Sequence, residues 1–378
     1  MFNLPFDVLL SVFDFVDDSK QLMQCRLVCK SWKAAALQVA LCKPLLIESE
    51  AQLLGFSNFL VTHEDLVSYV RHLTITNRSY YDAAYAIGEE DLVEDEENLD
   101  EENLDEENPF KKILPLVFHE KLEILGGNLD DTYSYRKILE IVAHSQKRFR
   151  LKKMPDPANQ ESNDYKMAAL FFKETLVHVY LLVSIEPSDA DIHFFSSLQD
   201  FRCLTSIALT VEQVRFPELK TIVDGCPLLQ EMDIGWVETQ NDMTTEQVRQ
   251  WFTINDSRND LILKTVKVSN CFSSNFIEYL ALKYRKIEEV SIDMSSYVDH
   301  VESLVANNIV HENVIIRVIN AMNDNVSMYD IKFFPHRRFN PLEQIIYAIT
   351  NLGQTVEISG NPDDRNMLAI TVTPVSQD

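Results

Sequence analysis

The side chains that could ligate a metal or attack a substrate are six cysteines, at 25, 29, 42, 203, 226 and 271, and nine histidines. A structural zinc site needs such residues in close pairs, yet no CxxC occurs and the histidines do not cluster with the thiols. Cys25 and Cys29 stand four apart on the apolar side of a short helix, where a thiol packs rather than reacts. No nucleophile elbow, Walker loop or HExxH is present. Eight glycines in 378 residues leave little material for a phosphate-cradling loop. His119, His178 and His311 fall at or beside strand positions, with no Ser or Cys set next to them. The expectation is a non-catalytic chain with no cofactor and no metal.

Charge is the next chemistry. Thirty-four basic residues face 59 acidic ones, a net of −25, which argues against a nucleic-acid or anionic-membrane partner and suits a basic one. Residues 89–108 hold 13 of the carboxylates and no Lys or Arg, leaving −12 for the remainder. The core of this tract repeats EENLD, whose period of five matches no helical seam. Like charges at that density resist compaction, so a disordered acidic insertion is expected. It reads as a solvated loop, with recruitment of basic proteins as the functional alternative.

The elements that must position these groups come next. Hydrophobic residues make up 46% of the chain, enough for a sizeable core. Sparse cysteines fit reduced thiols in the cytoplasm or nucleus. The apolar N-terminus lacks a basic flank and is interrupted by Asp7 and Asp14, so it does not read as a signal peptide. No run of about 18 apolar residues marks a membrane helix. Leu4-Pro5 opens a helix carrying Val8, Leu9, Val12, Phe13 and Val16 at helical spacing. After a turn at Asp17-Asp18-Ser19, a second helix is expected to carry Leu22, Cys25, Leu27, Val28, Cys29 and Trp32. So much apolar surface cannot all be buried within two short helices; some must meet the rest of the chain or a partner.

This ordered set resembles the F-box over roughly residues 2 to 42: Leu4-Pro5, Val8-Leu9, Val12-Phe13, Leu22, Leu27-Val28-Cys29 and Trp32, with Asp7 where the family usually has Glu. The resemblance implies a three-helix unit at 1–42 that docks an SKP-type adaptor, and through it a cullin-RING ubiquitin ligase. The residues it assigns to adaptor binding are Leu4, Pro5, Val8, Leu9, Val12, Phe13, Leu22, Leu27, Val28, Cys29 and Trp32, some of which must be hairpin core.

Apolar residues at i, i+3 and i+5 recur further along. They are Val70-Leu73-Ile75, Leu176-Val179-Leu181, Leu204-Ile207-Leu209, Leu229-Met232-Ile234, Leu263-Val266-Val268 and Ile287-Val290-Ile292. Leu122-Ile124 behind His119 and Val314-Ile316 behind His311 match in part. From residue 207 the central positions step by 25, 34, 24 and 24. Leu219, Ile222, Val223 and Cys226 share a helical face ended by Pro227, and Thr244 with Gln247 makes a capping box. Phe276 to Tyr284, and Val298 to Val305, read as further helices, and Pro155 to Asn163 as a loop.

The segment Leu219 to Ile234 resembles the cysteine-containing leucine-rich repeats that often follow an F-box. The expected fold is α/β: the F-box, then an irregular solenoid over 43–335 with parallel strands on the concave face and helices on the convex one. A capping segment over 336–378 holds a strand at Leu368-Ile370-Val372. Residues between the inward positions should line the concave face and meet a protein substrate: His72, Thr74, His178, Tyr180, Glu231, Asp233, Lys267, Glu289 and Asp293. Its carboxylates suit a basic peptide. No arginine cluster is expected on the strand faces. The implied function is substrate recognition in an SCF-type ubiquitin ligase. The alternatives are an acidic repeat binder or chaperone of basic proteins, and an F-box scaffold that does not promote turnover.

Overall fold

The structure, a computed structural model, describes residues 4–76, 109–129, 132–157, 163–183, 188–214, 216–239, 243–256, 259–269, 275–293, 317, 326–333, 355–360 and 368–373. The acidic tract at 89–108, the Val298–Val305 stripe and Val314-Ile316 lie outside the described residues. The chain divides into two compact units, Met1–Leu176 and Val177–Asp378.

The first unit opens with helices α1 (Phe6–Asp14), α2 (Ser19–Cys25) and α3 (Lys30–Cys42). Pro5 precedes α1 with φ −55° and ψ 148°, and its carbonyl accepts from the Leu9 amide at 3.1 Å. The expected single helix from Leu22 to Trp32 is in fact two. After Cys25 the chain turns, with the Leu27 amide donating to the Gln24 carbonyl, and Cys29 then extends at φ −160° to start α3. Leu9, Phe13, Leu22, Ala35, Ala36, Val39 and Ala40 form the core of this unit. Trp32 meets the edge of Phe13 at 5.3 Å between ring centres. The alanines of α3 let α1 and α2 approach closely.

A sheet of four parallel strands follows, in the order β1 (Leu45–Ile47), β2 (His72–Ile75), β3 (Ile124–Leu129), β4 (Asp156–Pro157). Helices α4 (Glu50–Thr62), α5 (Glu64–Val67), α6 (Pro109–Val117) and α7 (Thr132–His144) connect them, and α8 (Asn163–Phe171) comes after β4. Val70, Leu73 and Ile75 are buried as the i, i+3, i+5 pattern requires. The Leu122-Ile124 match is out by three residues: Leu125, not Leu122, pairs with Leu73, Leu122 and Leu125 are the buried pair, and Ile124 pairs with His72. The apolar side chain of Ile124 misled the pattern. Leu151 and Met154 continue the series into β4, so the expected loop from Pro155 begins with a two-residue strand. Gly127 has φ 116°, and a Cβ there would collide with the Ile75 carbonyl, so only glycine lets β3 follow β2 this closely.

The second unit is one open sheet of eight strands, in the order β11-β12-β10-β9-β8-β7-β6-β5. These are β5 (His178–Val183), β6 (Ser206–Val214), β7 (Glu231–Thr239), β8 (Asn259–Ser269), β9 (Tyr284–Asp293), β10 (Val326–Phe333), β11 (Thr355–Gly360) and β12 (Leu368–Thr373). From β5 to β10 all neighbours are parallel; β12 then pairs antiparallel with both β10 and β11. Val179, Ile207, Met232, Val266 and Val290 share one register row. All are 1% exposed or less, because each lies at the centre of its strand's buried face. The strand beside β9 is β10, and the Leu368-Ile370-Val372 strand is β12.

Helices α9 (Asp189–Ser196), α10 (Phe216–Asp224), α11 (Thr245–Asn255) and α12 (Asn275–Lys283) lie between these strands in sequence. Thr244 and Gln247 form the expected capping box. Tyr284, expected to end a helix, begins β9 directly after Lys283. Lys283 Nζ donates to Asp224 and Asp256, each at 2.6 Å, and Tyr279 OH donates to Asp256 at 2.6 Å. Burial alone would push the Lys283 ammonium down, but its hydrogen bonds and charge contacts with the two carboxylates prevail and hold it above its ordinary value. This buried cluster ties α10, α12 and the residue after α11 together.

Candidate functional site

Helix α1 carries two apolar stripes. Leu9, Phe13 and Val16, at i, i+4 and i+7, face the hairpin core. Val8, Val12 and Phe15 repeat that spacing one residue earlier and face outward, with Phe15 89% exposed. The turn between α2 and α3 adds Leu27 at 78% and Val28 at 61% exposure. Leu4, Pro5, Phe6 and Met23 are exposed as well. A lone exposed leucine is ordinary, but this many large apolar side chains in about 25 residues is the signature of a surface meant to be covered.

The eleven residues assigned from sequence to adaptor binding therefore divide by burial. Leu4, Pro5, Val8, Val12, Leu27 and Val28 are on the surface. Leu9, Phe13 and Leu22, 2% exposed or less, are hairpin core and offer a partner no surface; they hold the helices that display the others. Cys29 and Trp32 are half-buried. Phe6, Phe15 and Met23 were missed. For Phe15 the signal was available in its seven-residue spacing from Val8.

Cys29 Sγ lies 3.1 Å from the Ser31 hydroxyl, just before the first turn of α3. Hydrogen bonds from that hydroxyl and from the Trp32 backbone hold its thiol below the ordinary cysteine value. Cys226, by contrast, is buried and its thiol is pushed up to about 12.

The expected substrate face falls on two separate sheets rather than one. His72 and Thr74 belong to the four-stranded sheet, with His72 Nε2 3.9 Å from Glu123. The others lie on the eight-stranded sheet in two register rows. One runs His178, Ser206, Glu231, Thr265, Glu289; the other runs Tyr180, Ala208, Asp233, Lys267, Ser291. Asp293 sits at the register position between Ser269 and Lys332. His178 bonds the Ser206 hydroxyl at 3.0 Å, and the Tyr180 hydroxyl bonds that of Thr210 at 2.8 Å. Glu231, Asp233 and Lys267 are exposed, and no ion pair within 4 Å joins them among the described residues. These rows alternate with the buried rows, as a sheet with one open face requires.

Among the described residues no group of three or more His, Cys, Asp or Glu could hold a metal ion, and no helix is long and apolar enough to cross a membrane.

Comparison with known families matches residues 1–46 to the F-box-like model. That match ends just past α3, so it spans the three helices and both exposed apolar groups. F-box domains typically bind SKP-type adaptors. No curated protein matches the chain.

Proposed function

We propose that the chain is the substrate-recognition subunit of an SCF-type ubiquitin ligase. In this reading the F-box at 1–42 docks the SKP adaptor, and the remaining α/β sheets form an irregular leucine-rich-repeat array that holds a protein substrate. The array occupies 43–335, and 336–378 closes it. The chain performs no covalent chemistry and needs no cofactor or metal; it acts in the cytoplasm or nucleus by raising the local concentration of a substrate lysine near the ubiquitin thioester.

The observation that carries this is the coincidence of the F-box-like match with the second, outward apolar stripe of α1 and the exposed Leu27-Val28 turn. An apolar surface that the hairpin leaves uncovered is what an obligate partner would cover. The repeat reading is supported by the parallel strands β5–β10 and by the buried i, i+3, i+5 positions of β5–β9.

The test is a pull-down with purified SKP adaptor, using the wild type and a Leu27→Glu/Val28→Glu variant. Both positions are exposed, so the variant keeps its helical circular dichroism. Capture by the wild type and loss in the variant are expected; equal capture, or none by either, sinks the reading. The acidic tract favours a second reading, a binder or chaperone of basic proteins. It predicts steeply salt-dependent capture of a basic protein that disappears when 89–108 is deleted. A third, a scaffold without turnover, predicts unchanged partner levels when the chain is removed.

A further inference from the structure

In a chain with a net charge of −25, Lys147-Arg148-Phe149-Arg150-Leu151-Lys152-Lys153 places five cations in seven residues with no acid. Burial alternates along it. Phe149 and Leu151 are buried, Phe149 stacking on Phe118 at 5.3 Å, while Arg148, Arg150 and Lys152 are exposed between them. The buried residues anchor the backbone, and the three cations alternate with them at two-residue intervals along the sequence.

The neighbouring acids are already engaged. Glu120 takes Lys147 at 3.0 Å, Glu123 takes Lys152 at 2.6 Å and also faces His72, and Asp156 takes Lys153 at 3.6 Å. Among the described residues, Arg148 and Arg150 meet no ion-pair or hydrogen-bond partner. Lys121 and Arg71, exposed on the segments leading into β3 and β2, add cations that form no ion pair among the described residues.

The segment leads into β4, the last strand in the order of its sheet. Carbonyls along it are taken: Leu151 accepts from Thr175 Oγ1 at 2.7 Å, and Pro155 from Tyr135 OH at 3.1 Å. Recognition here would use side chains rather than strand addition to the backbone.

From this geometry we propose that the Arg148-Arg150 pair is a docking site for an acidic peptide with carboxylates at alternate positions. Two guanidinium groups that meet no partner among the described residues, held on an anchored backbone, match the paired oxygens of carboxylates, to which arginine bonds in bidentate fashion. Alternate residues of the peptide repeat at the same two-residue interval as the arginines. A peptide fits better than a nucleic acid. The strip is short, screening confines its field to about 8 Å in physiological salt, and a long polyanion would meet the chain's overall negative charge. The proposal is independent of adaptor docking and of the eight-stranded sheet.

The test uses fluorescence anisotropy of a labelled dodecapeptide of alternating glutamate and threonine, at about 0.1 M salt. Its controls are the glutamine counterpart and a 12-nucleotide oligouridylate. Residues 89–108 enter the same unit between β2 and α6 and carry 13 carboxylates that can compete. The full chain and a chain lacking 89–108 are therefore both measured. The expected result is binding of the glutamate peptide only, at least as tight in the deletion. Arg148→Ser/Arg150→Ser should weaken it about tenfold or more, and Arg249→Ser, an exposed arginine on α11, should not change it. Circular dichroism and adaptor capture, unchanged in the double variant, exclude misfolding. Binding that survives the double substitution, tighter binding of oligouridylate, equal binding of the glutamine peptide, or no binding to either chain overturns the proposal.

Discussion

The N-terminal hairpin and the eight-stranded sheet handle apolar side chains in opposite ways. In β5 to β9 every i, i+3 and i+5 position is 2% exposed or less, and the alternating positions between them are mostly polar. The sheet completes its own core. In the hairpin, α1 has a buried stripe and an exposed one, and three short helices cannot enclose both. Apolar content is therefore a poor guide to function; what matters is how much of it the local fold leaves outside. An unfinished burial marks a partner, whereas a regular alternation marks a platform whose outer face is free to vary.

The strongest way to break that contrast is to disturb the interior of each region. Lys283→Met removes the buried cation between Asp224 and Asp256, leaving Lys220 beside Asp224 and 4.0 Å from Asp256, and should cost about 3 kcal/mol, read by urea unfolding of the full chain. The ion pair's contribution should be complete below the ordinary lysine value and disappear as pH rises through the raised Lys283 value. Phe13→Ala and Ile207→Ala should each cost about 2–5 kcal/mol, since both residues are buried; a near-neutral Phe13→Ala would mean that the hairpin lacks a core of its own.

Surface changes sharpen the comparison. Leu27→Ala should alter stability by no more than about 0.5 kcal/mol while weakening adaptor capture, a separation that no buried position can give. The thiols offer the same contrast without mutation of the core. Iodoacetamide should modify Cys29 at a rate that rises with pH and reaches half-maximum below the ordinary cysteine value. Cys226 should react only after unfolding, and bound adaptor should protect Cys29. The smallest effect expected is at Glu123, whose carboxyl Lys152 holds below its usual range. Its contribution, at most about 0.5 kcal/mol, is present above the ordinary carboxylate value and lost as pH falls through the lowered one; Lys152→Ala should abolish that acid sensitivity.

The strands β2 and β5 to β9 were legible because their pattern is long and each position has one role. Strands β1 and β4 were not, being three and two residues long, shorter than any reliable alternation. The Leu122 register failed because Ile124 is apolar yet only half-buried, in register with His72, while Leu125 takes the buried place. The hairpin's existence was readable, but its inside and outside were not: Val8 and Leu9, or Val12 and Phe13, are adjacent apolar residues, and only contact with α3 decides which is buried. The Lys147–Lys153 strip was not legible because none of the recurring i, i+3, i+5 strand matches falls between Ile124 and Leu176 to set its register. Its cations become a ladder only once Phe149 and Leu151 are known to be buried.

The change of strand direction at β12 has a historical consequence. From β5 to β10 each strand offers its neighbour the same slanted parallel ladder, so a whole strand–helix unit could be duplicated or lost there with every remaining pairing preserved. Beyond β10 the ladder is antiparallel, and a copied parallel unit would find no matching edge between β10 and β12. At this end, therefore, gene duplication lengthens or shortens the sheet only from within, behind a fixed antiparallel hairpin, while at the β5 end the parallel ladder stops without such a cap among the described residues.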